Sequence, residues 1–427
     1  MEIIIPFGMF FILMFATVPI PVTFLVISIV AYVFMTDIPL VSMAQTMAYN
    51  LRSYVLTSIL FFVFAGNIMV RGRLSSILIN LANALVGSIP GGLAITGILA
   101  CGLFGAISGS STAAMAAIGV ILVPAMTDLK YSKHFAVSLM TSSGILAMLI
   151  PPSIPVILYS VVTGASIGSL FLAGVLPGVI TIILFSAYVF IKSKKLGIKP
   201  TSEHQDRPKL LKAVEESIWG IALVVIILGG IYSGILTVTE SAALGAIWAI
   251  FVELVIFKHV KIKDLPQIAV DSAVVTAVIM FVFGSAMVFS QFLTLEQIPN
   301  RLAELMISIS GNKWIFLALT CFVLLLAGAL LDGATVILIF APLLLPIYKL
   351  FGLDSTHFGM IFLMLVYIGN LTPPVGFSLF AAVGIFRIKL LDVAKGSVPY
   401  MIMLMAVLVL VILLPSLSTW LPRLVMR

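Results

Sequence analysis

Charge is what this sequence has least of. Only 9% of its 427 residues are Asp, Glu, Lys or Arg, where a soluble globular chain carries roughly 25%. Hydrophobic residues make up 62% and the mean hydropathy is +1.28. That balance excludes a water-soluble globule of this size. Most of the backbone must lie in helices or a closed barrel within a bilayer, and long continuous apolar runs select helices. Cysteine is nearly missing too. Cys101 and Cys321 both fall in apolar runs, which argues for neither a disulfide framework nor a metal site. No Gly-x-x-x-x-Gly-Lys-Ser/Thr is present, so the chain does not hydrolyse ATP itself, and no Thr-Val-Gly-Tyr-Gly filter suggests a potassium channel. His134, His204, His259 and His357 stand in or beside loops, so no buried Ser–His pair is visible. The Ser108-Gly109 pair is preceded by Ala106-Ile107, not by the Gly-x-Ser-Gly frame of an intramembrane serine protease. The net charge of +7 is not a nucleic-acid footprint, because Lys and Arg occupy short loops between apolar runs. The first run, 3–35, is too long for a cleavable signal peptide and lacks its basic start.

Apolar runs bounded by charge lie at about 3–35, 55–70, 74–107, 112–126, 135–163, 168–191, 217–237, 241–257, 267–293, 314–331, 334–350, 358–386 and 398–422. A simple span needs about 20 residues, so the short and proline-broken runs need not all cross. One stretch is polar, 192–216, and it carries Lys192, Lys194, Lys195, Lys199, Arg207, Lys209 and Lys212. The positive-inside rule places it in the cytoplasm. Alternation from that anchor also puts Arg71, Arg73, Lys130, Lys133, Lys258, Lys261, Lys263, Arg387, Lys389 and Lys395 inside. Left outside are Arg52, Arg301, Lys313, Lys349, Arg423 and Arg427. Arg52, at an outer helix start, reads as a snorkelling interfacial arginine. This predicts a multi-pass protein with a cytoplasmic N-terminus and a C-terminus on the opposite side.

A shift of 222 lays proline on proline: Pro124 on Pro346, Pro151 on Pro373, Pro152 on Pro374 and Pro177 on Pro399, with Gly174 on Gly396. Phe62-Val63-Phe64 matches Phe281-Val282-Phe283 at a shift of 219. Run 135–163 then crosses from inside to outside, and its mate 358–386 from outside to inside. The predicted organisation is therefore an inverted repeat: 1–196, a basic cytoplasmic linker with an unmatched, topology-flipping helix at 197–237, and 238–427. Inverted repeats with a binding site near the midplane are the architecture of secondary transporters.

Matching interruptions point to the site. Gly105-Ala106-Ile107-Ser108-Gly109-Ser110-Ser111-Thr112 corresponds to Ala327-Gly328-Ala329-Leu330-Leu331-Asp332-Gly333-Ala334. Each lies between two apolar arms whose outer ends share a side, which fits either two full spans or a re-entrant hairpin. The small, weakly polar tips favour hairpins, one at about 89–126 from the cytoplasmic side and one at about 314–350 from the outer side. The second pair is Ile150-Pro151-Pro152-Ser153 and Thr372-Pro373-Pro374-Val375. A Pro-Pro step removes two N–H donors and clashes with the preceding turn. A kinked span accommodates one such step; two at equivalent positions favour discontinuous helices over 135–163 and 358–386.

Unsatisfied backbone groups supply the chemistry. Carbonyls near Gly144, Ala147 and Ile150, with the hydroxyls of Ser108 and Ser110, would offer about five or six neutral oxygens for a sodium ion at a helix C-terminus. The second half offers Gly328, Gly369 and Thr372 for another. Helices starting after Ser111 and Pro152 direct N–H groups at the cavity, where an anion is favoured. A carboxylate substrate would meet Ser108, Ser110 and Ser153, with Thr112 and Asn370 as further candidates. Asp332 is the only Asp, Glu, Lys, Arg or His between Lys313 and Lys349, and a charge at that depth is functional by default. It could bind sodium, accept hydrogen bonds from substrate, or cap the following helix.

The segments Ser108-Gly109-Ser110-Ser111-Thr112-Ala113-Ala114-Met115-Ala116-Ala117-Ile118-Gly119, Ile150-Pro151-Pro152-Ser153, Gly174-Val175-Leu176-Pro177-Gly178 and Thr372-Pro373-Pro374-Val375-Gly376 resemble the large membrane subunit of tripartite ATP-independent periplasmic (TRAP) transporters. The likeness covers nearly the whole chain. It implies an all-α importer of the bacterial inner membrane, coupled to two or more sodium ions. Its elevator mechanism would slide two hairpins and two broken helices against a fixed scaffold. It implies two protein partners: a periplasmic solute-binding protein and a small four-helix membrane subunit. The family's ion sites, at the hairpin tips facing the broken helices, carry onto Ser108, Ser110, Gly144, Gly328 and Thr372. Family members move organic acids, including C4-dicarboxylates and sialic acids, and Asp332 leans the expectation towards a sugar acid. The other expectations are a stand-alone sodium/dicarboxylate symporter of similar architecture and an intramembrane enzyme using Asp332.

Overall fold

A computed structural model describes residues 4–198, 210–309 and 311–426. The middle of the basic linker, with Lys199, Arg207 and Lys209, and Arg427 at the end lie outside the described residues. Those described form helices, turns and loops, with no strand among them. In chain order the helices are α1 Ile4–Phe15, α2 Ile20–Met35, α3 Val41–Leu51, α4 Thr57–Arg71, α5 Leu74–Val86, α6 Gly92–Ser108, α7 Ser111–Asp128, α8 Lys133–Gly144, α9 Leu146–Leu149, α10 Ile154–Thr163 and α11 Ile167–Lys195. There follow α12 Leu210–Tyr232, α13 Val238–Phe251, α14 Leu265–Leu295, α15 Ile298–Ile309, α16 Lys313–Leu330, α17 Gly333–Leu350, α18 Ser355–Gly369, α19 Phe377–Phe386, α20 Leu390–Leu413 and α21 Ser416–Val425. Among the described residues nine helices are long and apolar enough to cross a membrane, or ten if a bent pair, Lys133–Leu149 with Ile154–Thr163, counts as one span.

The expected runs are recovered with three corrections. The run at 3–35 is a helical hairpin: Thr17 takes φ 61°, Pro19 cannot continue the ladder, and Phe10 packs back on Phe24 with ring centroids 5.6 Å apart. The run at 74–107 is divided by Gly87–Gly91, and the run at 398–422 by Pro415. Hydropathy alone also passed over α3 and α15, which are short and less apolar.

Local geometry repeats at the same shift of 222. Ser110 caps α7 by accepting from Ala113 N, and Asp332 caps α17 by accepting from Thr335 N. Ser132 caps α8 and Asp354 caps α18. Lys130 and Gly352 both turn the chain in the left-handed region, at φ 67° and 66°. In each turn the amide at that position bonds three residues back, at 3.0 Å, and the next amide five back, at 3.1 Å. Both Pro-Pro peptides, 151–152 and 373–374, are cis.

Packing sorts most helices into two groups. One joins α1–α4 with α12–α14: α2 and α3 lie on α14, and α4 on α13 and α14. The other joins α6–α11 with α16–α21, where α7 packs on α8, α16 on α18, α10 on α17, and α11 on α20 and α21. Helix α5 bridges them by touching both α6 and α12, and α15 bridges them by touching both α14 and α17.

Candidate functional site

The first tip and the first break meet because their supports have equal length. From the turn at Lys130, α7 runs back over 18 residues and α8–α9 runs forward over 17, each rising about 26 Å at 1.5 Å per residue. Helix α10 then continues about 15 Å further. The tip therefore stops against the break, well short of the far end of the broken helix. Gly109, at φ 61°, accepts a bond from Ile154 N through its carbonyl at 3.4 Å. A Cβ there would lie 2.9 Å from the Pro152 carbonyl oxygen.

Glycine makes the approach possible on both sides of this contact. A Cβ on Gly105 would fall 2.2 Å from Ala147 Cα, and one on Gly144 would fall 2.7 Å from the Ser111 carbonyl oxygen. Small residues at crossings let helix backbones touch within a membrane. In the second half a Cβ on Gly328 would fall 2.9 Å from Gly369 Cα. Ala147 and Gly369 stand at the equivalent position and Gly105 and Gly328 are one residue out of register, so the two crossings correspond to within one residue. The second tip and break are joined through Ala329, whose carbonyl accepts from Val375 N at 3.0 Å and Gly376 N at 3.2 Å.

The two half-sites also touch each other. Ser111 Oγ of the first tip is 3.4 Å from Ser378 Oγ beyond the second break, and Ser153 Oγ is 3.2 Å from the Tyr367 hydroxyl before it. The halves differ in access. Pro151 and Pro152 are buried, whereas Pro373, Pro374 and Val375 are exposed. Irregular backbone at this depth is tolerated where it faces protein or a water-filled cavity.

The expected site residues take distinct places. Ser108 ends α6, is buried, and lies 3.5 Å from Ser110 N through its hydroxyl oxygen. Ser110 shares a hydroxyl contact of 3.1 Å with the half-buried Thr112. Ile150 closes α9 in extended geometry. Because Pro151 and Pro152 carry no N–H, the carbonyls of Ala147 and Met148 have no donor four residues on. Beside them Ser142 and Ser143 are fully buried with hydroxyl oxygens that lack a partner. Such oxygens suit a bare cation. At the second break the corresponding carbonyls are taken up: Gly369 by Thr372 N at 2.8 Å and Asn370 by Ser378 N at 3.1 Å. Thr372 donates its hydroxyl to Ile368 O at 2.8 Å, leaving the oxygen free to accept a cation. Asn370 is buried with Oδ1 unpartnered, beside Gly333 at the second tip. Asp332 is half-buried and is engaged as a cap, with Oδ1 2.5 Å from Thr335 Oγ1 and Oδ2 3.2 Å from Thr335 N. Ser153 is brought to Tyr367 and not to the hydroxyls of the first tip.

The expectation of no buried Ser–His pair is corrected, since buried His357 Nδ1 lies 2.8 Å from Ser418 Oγ; sequence reasoning also passed over Ser142, Ser143, Tyr367 and Ser378. The Ser142–Ser143 pair precedes Gly144 inside the broken run, and its polarity there was a usable signal. Tyr367 and Ser378 carry none, because only packing between the halves brings them in.

Compared with known proteins, the chain matches the family described as tripartite ATP-independent periplasmic transporter, DctM component, over residues 7–417. It is 34% identical over 439 residues to the C4-dicarboxylate TRAP transporter large permease protein DctM of Rhodobacter capsulatus, covering 99% of each chain. The protein of the same description from Pseudomonas aeruginosa is 38% identical over 372 residues, 87% of this chain and 86% of the relative. The ectoine TRAP transporter large permease protein TeaC of Halomonas elongata is 36% identical over 387 residues, 90% of each.

Proposed function

This chain belongs to the DctM family of TRAP transporters, and from that premise we propose that it drives sodium-coupled uptake of an organic acid across the bacterial inner membrane. The solute arrives on a periplasmic binding protein, and a small four-helix membrane subunit completes the assembly. Sodium is cargo here, held at the first break by the neutral oxygens of Ser108, Ser110, Gly144, Ala147 and Ile150, and at the second by those of Gly328, Gly369 and Thr372 with the Asp332 carboxylate. The acid lies between the tips on Ser108, Ser110, Thr112, Ser153 and Asn370. Asp332 accepts bonds from its hydroxyl or amide groups, which favours a sugar acid such as a sialic acid over a plain dicarboxylate. Movement is of elevator type, with the group α6–α11 plus α16–α21 sliding on the group built around α4, α13 and α14.

One observation carries this reading: two tips and two breaks, far apart in sequence, converge through Gly109–Ile154, Ala329–Val375 and Ser111–Ser378. Orientation follows the basic loops, with the linker in the cytoplasm and α21 outside. In that frame α2 starts at the inner face, and α1, folded back on it, leads its first residues away from the cytoplasm. The single crossing expected over 3–35 is thus replaced by the pair α1 and α2.

The test is uptake into proteoliposomes holding the chain with its small subunit, supplied with loaded binding protein. An inward sodium gradient should drive accumulation, and neither ATP nor a potassium gradient should replace it. Accumulation without the binding protein would instead establish a stand-alone symporter, and uptake indifferent to sodium would contradict the coupling.

A further inference from the structure

Glu253 is a fully buried carboxylate in an apolar run, and transport as described above does not use it. It lies in a π-type turn, Val252–Ile256, that ends α13; such turns re-aim side chains and recur at functional places. Its carboxylate reaches the corner between α4 and α5. Oε1 accepts from Leu74 N at 2.8 Å and Oε2 from Arg73 N at 3.0 Å. Gly72 completes the cradle, since a Cβ there would fall 2.1 Å from the Glu253 carboxyl carbon. The guanidinium of Arg73 lies over the Phe257 ring at 5.9 Å, and Arg73 and His259 are the cationic side chains that act on the Glu253 carboxylate through space. So a buried carboxyl group is held by two main-chain amides at the positive end of a helix. The corner is braced besides by Ser75 Oγ donating to Met69 O at 2.8 Å. At the other end of α5 the chain passes through Gly87-Ser88-Ile89-Pro90-Gly91-Gly92, with Gly91 at φ 80°. The repeat provides no counterpart, because position 31, at the shift of 222, is Ala31.

We propose that Glu253 is a positioning residue that fastens the root of α5 to α13, so that displacement of the mobile group is taken up at Gly87–Gly92 and not at Gly72–Leu74. This rests on the elevator reading. It fixes α5 to the stationary group with the moving joint beyond its far end, and it gives the acid a mechanical task that leaves the sodium and solute sites untouched.

The test measures two distances in the complete reconstituted transporter, with spin labels at Ser76→Cys and Val255→Cys, and at Val120→Cys on α7 and Val255→Cys, in a chain carrying Cys101→Ala and Cys321→Ala. On adding sodium and transported acid, the 76–255 distance should hold while the 120–255 distance shifts. Glu253→Ala should broaden the 76–255 distribution and lower the maximal uptake rate about tenfold, with KM for the acid and half-saturating sodium changed by less than about twofold. Glu253→Gln keeps one acceptor oxygen and should fall between; if the alanine variant does not insert, the same readouts on the glutamine variant decide. A shift of the 76–255 distance in the unaltered pair would overturn the proposal while leaving sliding intact. An immobile 120–255 distance would remove the elevator reading and the proposal with it. Unchanged rate and distances in Glu253→Ala would overturn the role of Glu253 alone.

Discussion

At the residue scale, Ser110 and Asp332 hold one structural office in two chemistries. Each is the N-cap of a second hairpin arm at equivalent positions, yet one is neutral and one is an acid. A neutral cap suffices for the helix, since serine and asparagine cap as well as aspartate. The charge of Asp332 therefore needs another use. Asp332→Asn should leave thermal stability in detergent nearly unchanged while reducing uptake severely, and Asp332→Ala should lose uptake and about 1 kcal/mol of stability. Full uptake in the asparagine variant would make capping its whole role. Thr372→Ala removes one oxygen facing the second break and should raise half-saturating sodium about tenfold, the weight of roughly 1.4 kcal/mol. An unchanged sodium response would exclude that oxygen from the ion. Asp332 was legible in the sequence because it is alone in a long apolar stretch. Tyr367 and Ser378 were not, because nothing local marks an apolar-run tyrosine or serine as the neighbour of a residue more than two hundred positions away.

At the element scale, the breaks were legible and the bends were not. Pro-Pro steps announce where α9 and α18 must stop, and the small tips announce α6–α7 and α16–α17. The fold-back of α1 on α2 hangs on one left-handed threonine ahead of Pro19, which hydropathy cannot register. Gly328 and Gly369 place two backbones in contact, so Gly328→Val should separate the second tip from its break. Uptake should fall by more than about tenfold, since even one methylene too many in a packed contact costs about 1–3 kcal/mol. Membrane insertion, followed by surface labelling, should persist; near-normal uptake would show that the crossing is not needed for transport. Asp354 accepts from both Thr356 N and His357 N, and Asp354→Ala should lower stability by about 1 kcal/mol in thermal unfolding while leaving half-saturating sodium unaffected.

At the scale of the whole molecule, the repeat was visible in the prolines, and the structure adds matched caps, matched left-handed turns and matched glycine crossings. What the sequence could not supply was the sorting of helices into two packed groups with α5 and α15 between them, because that depends on which faces meet. The central claim is that the halves lie upside down with respect to each other, and the turns at Lys130 and Gly352 test it most directly. Single cysteines at Lys130→Cys and Lys349→Cys, each in a chain carrying Cys101→Ala and Cys321→Ala, should be treated in intact cells and in permeabilised cells with a maleimide that cannot cross the membrane. Position 349 should react from outside and position 130 only after permeabilisation; reaction of both from the same side would contradict the inversion.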